Sequence, residues 1–188
     1  MQILELLHHR RSSKQFGEIA PNQAQLENMI KAALRAPDHG RLKPYHFVVL
    51  QKSAMPTLKA CLEAAAVEFE MDEKNAVKAD KLANQAPMVI GVIAKIDHES
   101  PKIPAWEQML TTGCAAYAMQ LAANAQGFET VWISKKWVEG TQLRALFNCE
   151  EGDKVVGLLL VGSPKDPESG ISFARQPEEI DGFFNVIE

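Results

Sequence analysis

Cysteine is scarce in this chain of 188 residues: Cys61, Cys114 and Cys149 are odd in number, far apart and set among apolar neighbours. That pattern excludes a disulfide framework and predicts buried, reduced thiols, as in the cytoplasm. Long hydrophobic runs are missing too. The longest, residues 88–94 and 155–162, fall far short of the roughly 18–20 residues that span a bilayer, so no membrane association is expected. The opening residues carry no apolar signal region, because Arg10 and Arg11 follow the apolar positions instead of preceding them. The expected compartment is therefore cytoplasmic. Positive charge is not in excess: 20 Lys and Arg stand against 24 Asp and Glu, a net charge of −4 that speaks against nucleic acid as a partner.

Several chemical signatures are absent as well. No G-x-G-x-x-G follows a strand and no G-x-x-x-x-G-K-[ST] occurs, which argues against Rossmann and P-loop nucleotide sites. There is no G-x-S-x-G elbow and no H-E-x-x-H. His8, His9, His39, His46 and His98 have no Cys or carboxylate partner at ligand spacing, so no metal site is expected.

What is present is an ordinary globular composition, 46% hydrophobic and 23% charged, which suits one domain over residues 1–188 with an irregular C-terminal extension over 163–188. Asn22 and Gln25 form a capping-box pattern ahead of Leu26, Met29, Ile30, Ala33 and Leu34 at helical spacing. Further helices are predicted near 3–10, 53–70, 106–126 and 141–147, while residues 72–85 are too polar for core and read as either a mobile helix or a surface cover. Strands are predicted at 46–50, 88–96, 130–133 and 154–162, with Gly157 and Gly162 bracketing the last. The alternation predicts α+β or α/β organisation around one sheet. The helix over 106–126 is apolar nearly all round and contains a cluster of the chain's 24 alanines, so it is expected to be internal or shared with a partner, with Tyr117 in the core. Phe183, Phe184, Val186 and Ile187 also need a surface to pack on.

The most informative short stretch is Arg10, Arg11, Ser12, Ser13, Lys14. Guanidinium forks and hydroxyls suit a phosphate dianion, and in an extended segment Ser12 and Lys14 share a face. A solvated basic turn at a helix end is the other reading. Downstream stand Arg35, Ala36, Pro37, Asp38 and His39, then Pro44, Tyr45, His46 and Phe47.

Taken together, R-R-S-x-[KR] followed by A-P-x-x-x-x-x-x-P-[WY]-x-F resembles the nitroreductase family, and within it the compact YdjA-type subgroup. P-x-W-E-Q-x-x-x-x-G-C-A at 104–115, A-x-A-Q-G-F at 123–128 and G-x-P at 162–164 extend the resemblance over nearly the whole chain. The resemblance implies an α+β fold with a central, mostly antiparallel sheet flanked by helices. It also implies an intertwined homodimer with FMN at the subunit interface and NAD(P)H as co-substrate. Two electrons would pass by a ping-pong mechanism to nitroaromatics, quinones or similar flat acceptors. Carried over residue by residue, Arg10, Arg11 and Ser12 would hold the FMN phosphate and ribityl chain, and Lys14 would lie near the pyrimidine ring. Arg35 would touch the same flavin, while His39 with Pro37 would reach it from the partner chain. Trp132, Ile133 and Ser134 would lie along the ring edge, and residues 122–127 would meet the nicotinamide. No catalytic side chain is expected, because the chemistry is the cofactor's. The alternatives are a relative with different flavin chemistry, such as a dehalogenase or enone reductase, or a non-enzymatic flavin-binding protein. Asp38, Arg41, Lys43 and Tyr45 depart from the broader family's loop, and the two cations there would favour anionic substrates or the phosphate of NADPH.

Overall fold

The computed structural model describes residues 3–166 and 178–187. In chain order the elements are α1 (Ile3–His9), α2 (Gln23–Ala33), β1 (Tyr45–Gln51), α3 (Met55–Glu68), α4 (Glu73–Asn84), β2 (Met88–Ala94), α5 (Ala105–Ala125), β3 (Glu129–Ile133), α6 (Thr141–Leu146) and β4 (Lys154–Gly162). The strands form one antiparallel sheet in the order β1-β2-β4-β3. This is the expected α+β class.

The two central strands explain the continuous apolar runs. Strand side chains alternate between faces, so a strand covered on both sides must be apolar throughout. Val89 and Ile93 of β2, with Leu158 and Leu160 of β4, pack with residues of α3, α4 and α6. Met88 and Ile90, with Leu159 and Val161, face Met29 and Ala33 of α2 and Ala115, Met119 and Ala123 of α5. Gly91 sits at the centre of the first face because Phe147 lies over it: a Cβ there would come within 2.6 Å of the ring. Gly157 lies inside β4, and does not bracket the strand as expected.

Helix starts follow local chemistry. The Asn22 side chain accepts from the Gln25 amide at 3.0 Å, and Gln25 Oε1 accepts from the Asn22 amide at 2.9 Å, the reciprocal pair of a capping box. Asp72 caps α4 by accepting from the Asn75 amide at 2.9 Å, and Ala79 and Ala83 are fully buried against the rest of the fold.

Helix α5 corrects two expectations. Its core-facing side carries Gln108, Thr112, Gln120 and Asn124 among small apolar residues, whereas Trp106 (62% exposed), Leu110 (60%), Cys114 and Tyr117 (40%) face outward. Tyr117 is therefore not core, and Cys114 is not a buried thiol. Branched side chains from β2 and β4 already fill that face of the sheet, which leaves room for small residues and for polar ones with partners. Gln108 has them: Nε2 donates to the carbonyls of Asp97 (2.8 Å) and Ile103 (3.0 Å), and Oε1 accepts from the Asp97 amide (2.9 Å). Thr112 Oγ1 donates to the Pro44 carbonyl at 2.7 Å, tying α5 to the start of β1.

Part of the predicted C-terminal extension, residues 167–177 and 188, lies outside the described residues. Within 178–187 there is a turn but no regular element, and Phe183, Phe184, Val186 and Ile187 are exposed in the single chain. Among the described residues no helix is long and apolar enough to cross a membrane.

The packing over Gly91 has a measurable consequence. Gly91→Ala drives a methyl into a closed ring contact at the sheet centre and is expected to lower stability by about 1–3 kcal/mol, seen as a reduced midpoint in denaturant unfolding with an unchanged slope.

Candidate functional site

After α1 the chain leaves helical geometry and runs as an extended strap. The Ser13 amide donates to the Thr130 carbonyl of β3 at 2.9 Å, the Gly17 amide to the Ser163 carbonyl at 2.8 Å, and the Ser163 amide to the Ile19 carbonyl at 2.8 Å. These bonds fix which way each side chain points. Ser13 is buried and its Oγ donates to the Gln15 carbonyl, while Ser12 and Lys14 stay exposed on the other side, as the alternation predicts.

The strap forms one wall of a cleft of about 670 Å³. Arg11, Ser12, Lys14 and Gln15 line it on that side, Glu129 at the start of β3, and Pro164, Lys165 and Asp166 beyond β4. Three cations and a hydroxyl thus converge on one space, the donor set expected for an anion such as a phosphate. Lys165 and Glu129 were not picked out from sequence. Glu129 is 3% exposed. Its Oε1 lies 3.7 Å from Arg11 Nη2, and its Oε2 has no hydrogen-bond partner among the described residues. Burial pushes its carboxyl above the usual carboxylate range, and the Arg11 charge opposes that only in part.

Arg10 points elsewhere. Its guanidinium sits 5.7 Å from the Tyr117 ring centroid on α5, a cation–π contact, and its Nη1 is buried without a hydrogen-bond partner. Tyr117 in turn lines a second, largely apolar pocket of about 510 Å³, to which Arg35 and Pro37 contribute beyond α2, Leu110, Gly113 and Cys114 from α5, and Trp132 from β3. Tyr117 was missed from sequence because an aromatic among alanines reads as core.

Two glycines make the space for Trp132. A Cβ at Gly157 would fall 2.0 Å from its Nε1, and Gly113 lies beneath the far edge of the indole. The register between β2 and β4 shifts between Val92 and Ile93, leaving Val156 as the extra residue of a bulge, and its carbonyl accepts the Trp132 Nε1–H at 3.3 Å. The bulge and the glycine together hold the indole in its slot.

The structure therefore sorts the predicted residues. Arg11, Ser12 and Lys14 meet in the polar cleft, and Arg35, Pro37 and Trp132 meet in the apolar pocket. Ile133 points the other way and packs against the core beneath α3 and α6, because neighbours on a strand face opposite sides. Ser134 is exposed just past β3. Residues 122–127 line neither pocket. His39 sits outside both, with its Nδ1 2.8 Å from Glu107 Oε2 in the first turn of α5. The loop that carries it is tightly wound. Gly40, Arg41 and Lys43 have φ of 71°, 56° and 49°, and Asp38 Oδ2 closes the turn on the Lys43 amide at 2.8 Å. Neither pocket is lined by a histidine, so neither holds a Ser–His or Cys–His nucleophile pair. The chemistry these surfaces suit is the binding of a flat ring near an anionic group.

Comparison with known proteins agrees with that geometry. The family model described as "Nitroreductase family" matches residues 7–163. A protein of Haemophilus influenzae named "Putative NAD(P)H nitroreductase" is 53% identical over 163 residues, covering 87% of this chain and 89% of its own length. The YdjA protein of Escherichia coli, with the same designation, is 42% identical over 165 residues, covering 88% and 90%. Among solved structures, a Bacteroides fragilis nitroreductase with bound FMN superposes with a TM-score of 0.72 at 20% identity over all of both chains. With the family model spanning most of its length and relatives this similar, the chain belongs to the nitroreductase family.

Proposed function

We propose that this protein is an FMN-dependent NAD(P)H oxidoreductase that passes two electrons to nitroaromatic, quinone or similar flat acceptors. The observation that carries the reading is the pairing of a cation- and hydroxyl-lined cleft with an aromatic-lined apolar pocket, joined through the adjacent residues Arg10 and Arg11. The relatives' names supply the co-substrate, and the Bacteroides fragilis structure supplies the flavin.

The residues present fit FMN. Arg11, Ser12 and Lys165 would hold the phosphate, and the buried unpartnered Nη1 of Arg10 offers a further donor beside the flavin site. Arg35, Pro37 and Trp132 would bound the ring, and Lys14 would supply positive charge near its pyrimidine end. Bound FMN supplies hydride acceptance from a reduced nicotinamide and two-electron delivery to an acceptor. The chain's own part is to orient and to exclude water: the apolar lining desolvates the ring, and a fixed cation favours negative charge that develops next to it. Residues 122–127 and Ser134 fall to the nicotinamide and the ring edge respectively.

A second copy completes the site in this reading. Trp106, Leu110 and Tyr117 on α5, Ile3, Leu4 and Leu7 on α1, and Phe183 and Phe184 near the C-terminus leave more apolar surface exposed than a lone chain of this size ordinarily keeps. A homodimer of one-domain subunits would cover that surface and bring His39 to the partner's flavin, with Glu107 holding its Nδ1–H so that Nε2 faces outward. The protein would work in the cytoplasm. Arg41 and Lys43, both exposed and held in left-handed conformations by the Asp38 turn, would stand at the pocket mouth and favour anionic co-substrates.

Purified protein is expected to be yellow, to bleach with NAD(P)H and to recover its flavin absorption on adding a nitroaromatic. Colourless protein that neither takes up FMN nor oxidises NAD(P)H would overturn the reading. Arg11→Ala is expected to weaken FMN binding by about tenfold or more, the value of one charged hydrogen bond, measured by flavin fluorescence. For the loop cations, Arg41→Ala should raise KM for NADPH by about fivefold while leaving NADH nearly unchanged. Equal effects on both would remove that assignment.

A further inference from the structure

Glu129 does not fit a simple anion site. It is a carboxyl in a cleft otherwise suited to phosphate, buried, 3.7 Å from the guanidinium that should bind the anion, and with one oxygen unpartnered. At 3.7 Å the pair lies beyond hydrogen-bond length, so this contact is an attraction between charges and not a hydrogen bond. As a carboxylate, Glu129 competes for Arg11 and repels an incoming dianion. As a carboxylic acid it releases Arg11 and presents an O–H donor where the structure now has a buried acceptor without a partner.

We propose that Glu129 makes the cleft a proton-coupled phosphate site: a phosphomonoester dianion, here that of FMN, enters beside Arg11 with uptake of one proton from solvent onto the Glu129 carboxylate. The flavin part of this statement rests on the proposed function above. The charged groups that share the cleft are Arg11 and Lys14 from the strap and Lys165 and Asp166 from beyond β4. Across the sheet the residue opposite Glu129 is Gly162, and the core-facing side of α5 carries the uncharged Gln120 and Asn124. Burial already disfavours the ionised form, and a bound dianion disfavours it further. The complex then binds more protons than the free protein. Affinity is highest at low pH and falls as pH rises through the free protein's Glu129 titration, by up to about tenfold per pH unit for one linked proton. The phosphate's own second ionisation, near 6, works in the opposite direction, because the cations prefer the dianion.

The phosphate's own ionisation acts alike in wild type and Glu129→Gln, so the difference between their pH profiles belongs to Glu129. FMN and riboflavin are titrated by flavin fluorescence into apo wild type and Glu129→Gln between about pH 5 and about pH 9. Calorimetry of the wild type in buffers of different ionisation enthalpy counts protons directly and needs no variant to fold. Wild type is expected to lose FMN affinity relative to Glu129→Gln as pH rises, with proton uptake on binding and flat riboflavin affinity. Wild-type and Glu129→Gln profiles that run parallel, no proton uptake, or weaker FMN binding by Glu129→Gln at every pH would overturn the proposal, the last by making Glu129 a strut for Arg11. Stabilisation by inorganic phosphate, read from Tm in wild type and Glu129→Gln, keeps the two readings apart. If FMN never binds but phosphate protects with the Glu129-dependent slope, the flavin reading fails and the coupled site stands. If FMN binds without that slope, the coupled site fails and the flavin reading stands.

Discussion

The site depends on the strap of residues 10–19 being pinned as extended chain against the sheet. One amide–carbonyl bond from Ser13 to Thr130, and the exchange between Gly17, Ile19 and Ser163, set its path. Extended chain sends neighbouring side chains to opposite sides. Arg10 therefore goes to α5 and the Tyr117 ring, while Arg11 goes to the cleft and Glu129. Two like cations, adjacent in sequence, serve two surfaces because the backbone between them is straight. The cleft is lined from both sides of the strap, by Arg11, Ser13 and Gln15 and by Ser12 and Lys14, with Ser13 also held in a local bond with Gln15.

Helix α5 is the second constraint, and it works by reversing the usual pattern. Its inward side is small or polar, with Gln108 and Thr112 fully bonded, so it sits closely over β2 and β4 and is anchored to the loop of Asp97 and Ile103 and to Pro44 at the start of β1. Its outward side holds the larger apolar groups, which become the wall of the apolar pocket. A hydrogen-bonded polar group costs little when buried, whereas its unpaired counterpart costs about 1–3 kcal/mol. That difference lets Gln108 and Thr112 be buried at little loss, whereas Glu129 and Arg10 are among the residues that keep a buried polar atom without a partner. The pKa direction at Glu129 agrees. A carboxyl whose folded value stands above its unfolded value loses stability as pH rises through that interval, so at neutral pH and above its burial is a net cost to the fold.

Much of the fold was legible because its signals are local. The capping box at Asn22 and the unbroken apolar runs of β2 and β4 each act within a few residues of where they are written. The run of cations and hydroxyls at residues 10–14 was legible for the same reason. What escaped depends on contacts between distant segments. His39 meets Glu107 across 68 positions. Glu129 reads as a polar residue after a glycine turn, and only the arrival of the strap buries it. Tyr117 and Cys114 have the neighbours of core residues, and their exposure follows from which side of α5 the sheet occupies. Ile133 came with Trp132 in the segment matched by the resemblance, although the two side chains point to opposite faces of β3.

Departures from ordinary backbone geometry carry the same information in another form. Glu70 and Asn148 have positive φ just past the ends of α3 and α6, where the Met71 amide returns to the Ala66 carbonyl and the Cys149 amide to the Arg144 carbonyl. These are helix-ending turns that any fold uses. Arg41, Lys43 and Lys135 have positive φ without such a turn to explain it. Two of them lie between Pro37 of the apolar pocket and β1, and the third follows Trp132, Ile133 and Ser134. Strain of this kind persists only where the surroundings enforce it. Here it lies beside the pocket residues, while the helices on the far face of the sheet obey local rules. The same chain thus shows a regular half, built around α3, α4 and α6, and a half whose backbone departs from those rules beside the two pockets.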